Sequence, residues 1–237
     1  MIRIDDISKR YEDGILALNH LSISIAEGQI FTLLGSNGAG KSTTINIICG
    51  FIPPTTGDVI INDCSLIKNP VQIKQHIAYL SENVLLYNHF TGFQNLQFFA
   101  RLSGKNMSKS DLENVLREIG LQDRYIHKNV DTYSKGMRQK IGIAIALVKD
   151  ASVFLLDEPF SGLDPKAAFD FQNLLMDLKN KGKTILMSTH DIFRAKEMAD
   201  VVGIMKDGCL VMIKTREEME HDDLQQIYLD YMEGRLA

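Results

Sequence analysis

The chain has 237 residues, 45% of them hydrophobic, which is enough for a substantial buried core and excludes a disordered or fibrous polymer. With 26 Lys and Arg against 30 Asp and Glu the formal net charge is −4, and no run of basic residues is long enough to grip a phosphate backbone, so nucleic acid is not an expected partner. The 3 cysteines, Cys49, Cys64 and Cys209, are odd in number and too widely spaced for a zinc site, which reads as reduced, mostly buried thiols.

Arg3, Asp5 and Asp6 put charge where a signal peptide needs an apolar core, so secretion of the chain is not expected. Residues 2–4, 21–25 and 57–62 alternate polar and apolar side chains, which predicts antiparallel strands in a small β region. From residue 29 onwards short apolar runs alternate with helical patterns. Strands over 29–34, 77–80, 153–157 and 184–188 then make an α/β core with a mainly parallel sheet. Pro53, Pro54 and Gly57 mark a turn after the first helix. Between 88 and 121 the pattern becomes amphipathic helix, a separable helical subdomain. Runs 141–148 and 151–156 are the most apolar, but Lys149 and Asp150 interrupt them, and neither approaches the roughly 20 residues that cross a bilayer. Residues 201–205 and 209–213 predict a hairpin across Lys206, Asp207 and Gly208. In the tail, Leu224, Ile227, Tyr228, Tyr231 and Met232 fall at helical spacing, the stripe of a surface helix that packs on its own domain.

Gly35, Ser36, Asn37, Gly38, Ala39, Gly40, Lys41 and Ser42, followed by Thr43, fit the pattern G-x-x-x-x-G-K-S/T, placed between an apolar strand and a helical segment. Glycines let successive backbone N–H groups turn inward around phosphates, and the helix that follows points its positive end at them. Lys41 is expected to reach the β- and γ-phosphates of a nucleoside triphosphate, and Ser42 to ligate Mg²⁺. The strand over 153–157 ends in Asp157 and Glu158, at the end of the sheet where α/β proteins place ligands. Asp157 suits Mg²⁺, and Glu158, aimed differently, suits a general base. Ser134 is a good N-cap for a helix over 136–148, whose backbone N–H groups would face an anion.

With these in order, the chain resembles the nucleotide-binding subunit of an ATP-binding cassette transporter, over nearly its whole length. Tyr11 occupies the place of that family's adenine-stacking aromatic. Tyr133, Ser134, Lys135, Gly136 and Met137 occupy the place of the signature LSGGQ, with Ser134 and Gly136 retained. Ser161, Gly162, Leu163 and Asp164 match the D-loop, His190 matches the switch histidine, and Glu82 stands where the Q-loop has glutamine.

The resemblance implies an ATPase with a P-loop core (about 1–80 and 152–214, including an antiparallel β subdomain), a helical signature subdomain (about 83–151) and a helical tail (about 215–237). It implies ATP and Mg²⁺, the metal on Ser42, Asp157 and Glu82, and turnover by Lys41, Glu158 and His190. A second ATP-binding subunit, the same chain or a close paralogue, would close head to tail so that its Ser134 and Gly136 cover this chain's nucleotide, and Asp164 is implied as a further nucleotide-binding residue. An integral membrane permease would dock a helix on residues 82–101 and hold the protein at the cytoplasmic face of the membrane. Glu82 and the tail resemble bacterial exporters. The alternative, a cassette ATPase acting on nucleic acid or translation, goes with coiled-coil insertions, zinc cysteines or a tandem cassette, none of which this sequence carries.

Overall fold

The computed structural model describes residues 1–232 and 235, with the side chain of Met232 outside that description. Strands β1 (Ile2–Arg10) and β2 (Leu16–Ile25) form an antiparallel hairpin in which Ile2 faces Ile25 and Ile4 faces Ile23. Both run well beyond the lengths the alternation predicts. The pairing register shifts between Ile4 and Ile7 and again before Lys9 and Arg10, and these irregularities break the period-2 pattern from which strand length is read.

Strand β3 (Ile30–Leu34) is buried throughout and leads through the glycine loop into α1 (Lys41–Ile48). Then β4 (Thr56–Ile61) and β5 (Cys64–Ser65) complete a four-stranded antiparallel sheet in the order β2-β1-β4-β5. A short helix, α2 (Pro70–His76), which the sequence pattern does not announce, leads into β6 (Ile77–Leu80).

The helical stretch follows. Helix α3 (Gly92–Leu102) starts at a capping box in which Thr91 and Gln94 satisfy each other's backbone N–H groups, later than the amphipathic pattern from residue 88 suggests. Asn95, fully buried, accepts from the N–H of Tyr87 and donates to the carbonyls of Tyr87 and Thr91, which pins the preceding loop to the helix. Helix α4 (Lys109–Glu118) is capped by Ser108, and α5 (Asp123–Ile126) is a single turn. Helix α6 (Lys135–Lys149) is capped at its start by Ser134, whose Oγ accepts from the N–H of Met137 at 3.3 Å. It ends where Asp150 turns left-handed (φ 61), and there Lys149 donates to the carbonyls of Lys74 and Ile77.

Strand β7 (Val153–Asp157), helix α7 (Pro165–Asn180), strand β8 (Thr184–Thr189), helix α8 (Ile192–Met198), strand β9 (Val201–Lys206) and strand β10 (Cys209–Thr215) complete the core. Six strands pair in the order β10-β9-β3-β8-β7-β6, all parallel except the β9–β10 hairpin. Two helices close the chain, α9 (Arg216–His221) on a Thr215–Glu218 capping box and α10 (Leu224–Met232). Leu224, Ile227 and Tyr228 pack with Leu34, Ala195, Val202 and Ile204, and Lys206 donates to the carbonyl of Tyr231 at 2.6 Å.

Strand periodicity decides which layer each side chain joins. Phe154, Leu156, Ile185 and Met187 pack with Ile141 and Ala144 of α6 and Phe171 and Leu175 of α7. Their alternates Leu155, Leu186, Phe31 and Leu33 pack with Ile45 and Ile48 of α1 and with Ile2, Ile4 and Ile23 of the antiparallel sheet. Each such side chain contributes about 1.5–3 kcal/mol on burial, so both faces of the parallel sheet hold the strand ends in fixed register. Cys49 belongs to the second layer, where burial first and the Asp157 carboxylate second push its thiol up to about 12. All three cysteines are free, and among the described residues no helix is long and apolar enough to cross a membrane.

Close packing also sets the leading edge of α6. The Tyr133 hydroxyl donates to the carbonyl of Tyr125 at 2.5 Å, and a Cβ on Gly92 would lie 2.4 Å from that same hydroxyl oxygen. Helix α3 can begin there only because residue 92 has no side chain.

Candidate active site

The glycine loop sits at the carboxyl end of the parallel sheet. Gly35 N–H donates to the Thr189 carbonyl at 3.3 Å, so β3–β8 pairing continues one residue past the strand before the chain turns. Gly40 is left-handed (φ 104), and a Cβ on it would lie 2.8 Å from Leu18 Cδ2 and 2.9 Å from the Ala17 carbonyl oxygen. Both backbone conformation and space require glycine there.

Lys41, the first residue of α1, is 5% exposed, so its ammonium must find partners inside the protein. It donates to the carbonyls of Gly35 at 2.7 Å and Ser36 at 3.1 Å and stands 3.6 Å from Glu158 Oε1. Residues 37–43, with Ala17, Glu82, Asp157 and Glu158, line a cavity of about 270 Å³.

At the end of β7 the two acids face different partners. Asp157 Oδ1 accepts from Ser42 Oγ at 3.0 Å and from Ser188 Oγ at 2.6 Å. Ser188 Oγ also accepts from the N–H of Glu158 at 3.0 Å, so one hydroxyl on β8 fixes both acids. Glu158 itself is left-handed (φ 48), a conformation that costs a non-glycine residue about 1 kcal/mol or more. Its Oε2 meets His190 Nδ1 at 3.0 Å, while its Oε1 is buried and accepts no hydrogen bond. Glu158 lines the cavity, and a buried carboxylate oxygen that accepts no hydrogen bond is suited to take a proton from a water held there.

Glu82 lies on the same cavity, but its Oε1 is already engaged by Ser161 Oγ at 2.7 Å and Lys135 Nζ at 3.4 Å. The Ser161 hydroxyl first, and then the Lys135 ammonium, hold this carboxyl below the ordinary glutamate range. Gln139 on α6, almost fully buried, donates to the carbonyl of Pro159 and ties the middle of that helix to the residue after Glu158.

The signature residues stand apart. Ser134, Gly136 and Met137 line a second cavity of about 200 Å³ with Asp164, Lys166, Ala167 and Asp170, and none of these residues lines the first. Asp164 caps α7, accepting from the N–H of Ala167 at 2.9 Å. Tyr11 is also off the cradle cavity. It lies in the β1–β2 turn, 38% exposed, with Lys9 Nζ 5.3 Å from its ring centre, although Ala17 at the far side of that turn does reach the cavity.

Ser188, Gln139 and Ala17 are participants that the sequence does not single out by role, and Ser161, matched there as part of the D-loop, gains its contact to Glu82 only in the fold. A serine fully buried in the apolar strand at 184–189 is the one local signal, because a buried hydroxyl needs a partner.

A glycine loop wrapped over a buried lysine, with a hydroxyl and two acids closing on it from the neighbouring strand ends, defines a P-loop nucleoside triphosphatase. The ABC transporter family model matches residues 18–161, and the chain belongs to that family and is an ABC ATPase. It is 33% identical over 239 residues to the ABC transporter ATP-binding protein NatA of Bacillus subtilis, a match covering 97% of each chain. It is 31% identical to the bacitracin transport ATP-binding protein BcrA of Enterococcus faecalis, over 100% of this chain and 76% of that one. Among solved structures, a dimeric ATP-binding cassette in a post-hydrolysis state bound to ADP and Pi superposes with a TM-score of 0.81 at 26% identity, covering 91% of this chain and 99% of that one.

Proposed function

We propose that this ATPase drives a separate membrane permease, in the export direction, as one of two ATP-binding subunits that share each active site. The observation that carries the chemistry is the continuous contact from Lys41 Nζ through Glu158 to His190, at 3.6 and 3.0 Å, beside a glycine cradle. In this reading the N–H groups of residues 35–43 and Lys41 bind the triphosphate, and Glu158 Oε1 takes the proton of the attacking water. His190 holds Oε2 and so steers the base. Tyr11 lies against adenine, and Ser134, Gly136 and Asp164 come from the second subunit's side of the seam.

The donor set fits Mg²⁺. Ser42 Oγ and Asp157 Oδ1, hydrogen-bonded at 3.0 Å, are hard oxygens that would hold the ion together with oxygens of the bound phosphates. Glu82 could join through Oε2. Among the described residues no cluster of three His, Cys, Asp or Glu is arranged to hold a metal alone, in keeping with a cation brought in by phosphates. Bound there, the ion would neutralise charge on the β- and γ-phosphates.

Docking on a permease is supported by the surface over 82–101. Tyr87, Phe90, Phe98 and Phe99 form an aromatic cluster with ring centres 4.9–6.4 Å apart, and Leu85 is 87% exposed beside it. An apolar groove lined by Tyr79, Gly142 and Ile145 runs alongside. Apolar patches of this kind mark protein interfaces, and a permease helix is the proposed occupant, which would place the chain at the cytoplasmic membrane face. Export rests on Glu82 and the tail helix, and on similarity to a chain named for bacitracin transport.

The test is the purified full chain carrying Glu158→Gln. It should bind ATP, stop hydrolysing it and form a stable dimer by light scattering. A strictly monomeric profile at saturating ATP would overturn the shared site.

A further inference from the structure

Two positions where this chain departs from the family pattern meet in space. Glu82 replaces a neutral glutamine and Lys135 replaces a glycine, and they form an ion pair with Nζ 3.4 Å from Oε1. The same Oε1 accepts from Ser161 Oγ at 2.7 Å. A Cβ on Gly162 would lie 3.5 Å from Lys135 Nζ, so the ammonium rests against the D-loop backbone as well. Three segments far apart in sequence, following β6, following β7 and opening α6, therefore converge on one carboxylate oxygen.

Lys135 is the first residue of α6, where the positive end of the helix disfavours a cation. Its side chain is 27% exposed and Glu82's is 48%, so the pair is partly screened, yet it offsets that local cost. Glutamine at 82 could still accept from Ser161 but would leave the ammonium without a countercharge, and glycine at 135 could not reach the oxygen at all. The two departures are complementary.

Glu82 lines the phosphate-cradle cavity, while Ser134 and Gly136, the neighbours of Lys135, line the signature cavity. We propose that Lys135 is a positioning residue which, through Glu82 and Ser161, ties the tip of the signature helix to the phosphate cradle of its own chain, so that phosphate charge arriving in the cradle is felt at the tip offered to the second subunit. A nucleotide in the cradle brings both phosphate charge and its cation beside Glu82, which changes the field on that carboxylate and on the ammonium it pairs with. The balance of the bridge shifts with it. This inference rests on the shared-site reading above.

The experiment is a double-mutant cycle on the full chain in a Glu158→Gln background, reading the ATP concentration for half-maximal dimerisation. Fluorescent-nucleotide binding to the monomer and the melting temperature serve as controls. Glu82→Gln and Lys135→Gln should each raise that concentration about three- to five-fold, as for other partly exposed ion pairs. The double variant should be no worse than the poorer single, and Lys135→Arg should keep wild-type behaviour, with melting and Lys135→Gln monomer binding unchanged. Additive effects, a Lys135→Gln variant that dimerises like its parent, or failure of Lys135→Arg to retain function would overturn the inference. Ser134→Arg separates the two levels. Dimerisation that survives it removes the shared site and this inference together, whereas dimerisation lost in Ser134→Arg but indifferent to Lys135→Gln removes this inference alone.

Discussion

The cradle and the signature tip are both helix N-termini, yet the groups around them are completed differently. At the cradle, Lys41 is buried and bonded to Gly35 and Ser36, Ser42 meets Asp157, and Ser188 fixes Asp157 and Glu158, all within one chain. At the tip, Ser134 satisfies the N–H of Met137 and Asp164 that of Ala167, but the cavity they line lies apart from the one at the cradle. One is a finished receptor. The other is a surface that, under the proposed function, a second molecule completes, and the comparison teaches that binding and turnover should be separable by mutation.

The largest effect tests chemistry across both regions. Glu158→Gln keeps the shape but removes the proton acceptor, so turnover should fall about 100- to 10,000-fold in a phosphate-release assay while nucleotide still binds. Lys41→Ala breaks the cradle alone. It should lower turnover about 100- to 1,000-fold and, unlike Glu158→Gln, abolish fluorescent-nucleotide binding by the monomer. Ser134→Arg breaks the tip alone and should leave monomer binding intact while turnover drops at least about 10-fold, with a stability loss of about 1 kcal/mol for the missing cap in a denaturant titration. Monomer binding lost in Ser134→Arg would erase the distinction between the two regions. Asp164→Ala is the mildest, removing one cap of α7 for about 1 kcal/mol, seen as a melting temperature a few degrees lower.

Local patterns made much of this legible in the sequence. The strands at 77–80 and 153–157 are short apolar runs closed by polar residues, and their observed bounds coincide with the pattern. The glycine loop and the Asp157–Glu158 pair are contiguous motifs whose chemistry depends on neighbours in the chain. What escaped is long-range or irregular. Bulges disguised the full length of β1, and α2 carries little periodicity in 7 residues. Glu82 lies 53 positions from Lys135 and 79 from Ser161, so no window of sequence contains their meeting. Ser188 reads as one more strand residue until the ends of β7 and β8 lie side by side.

The contact between Tyr133 and Gly92 carries a consequence for exchange of parts between relatives. A ring just ahead of the cap of α6 and a bare backbone at the start of α3 form a matched pair of bump and notch. Grafting a leucine-type signature into this chain would leave the notch underfilled. Placing this chain's tyrosine in a cassette with a bulkier residue at the matching position would force the two helices apart, so the two positions should be transplanted together or not at all.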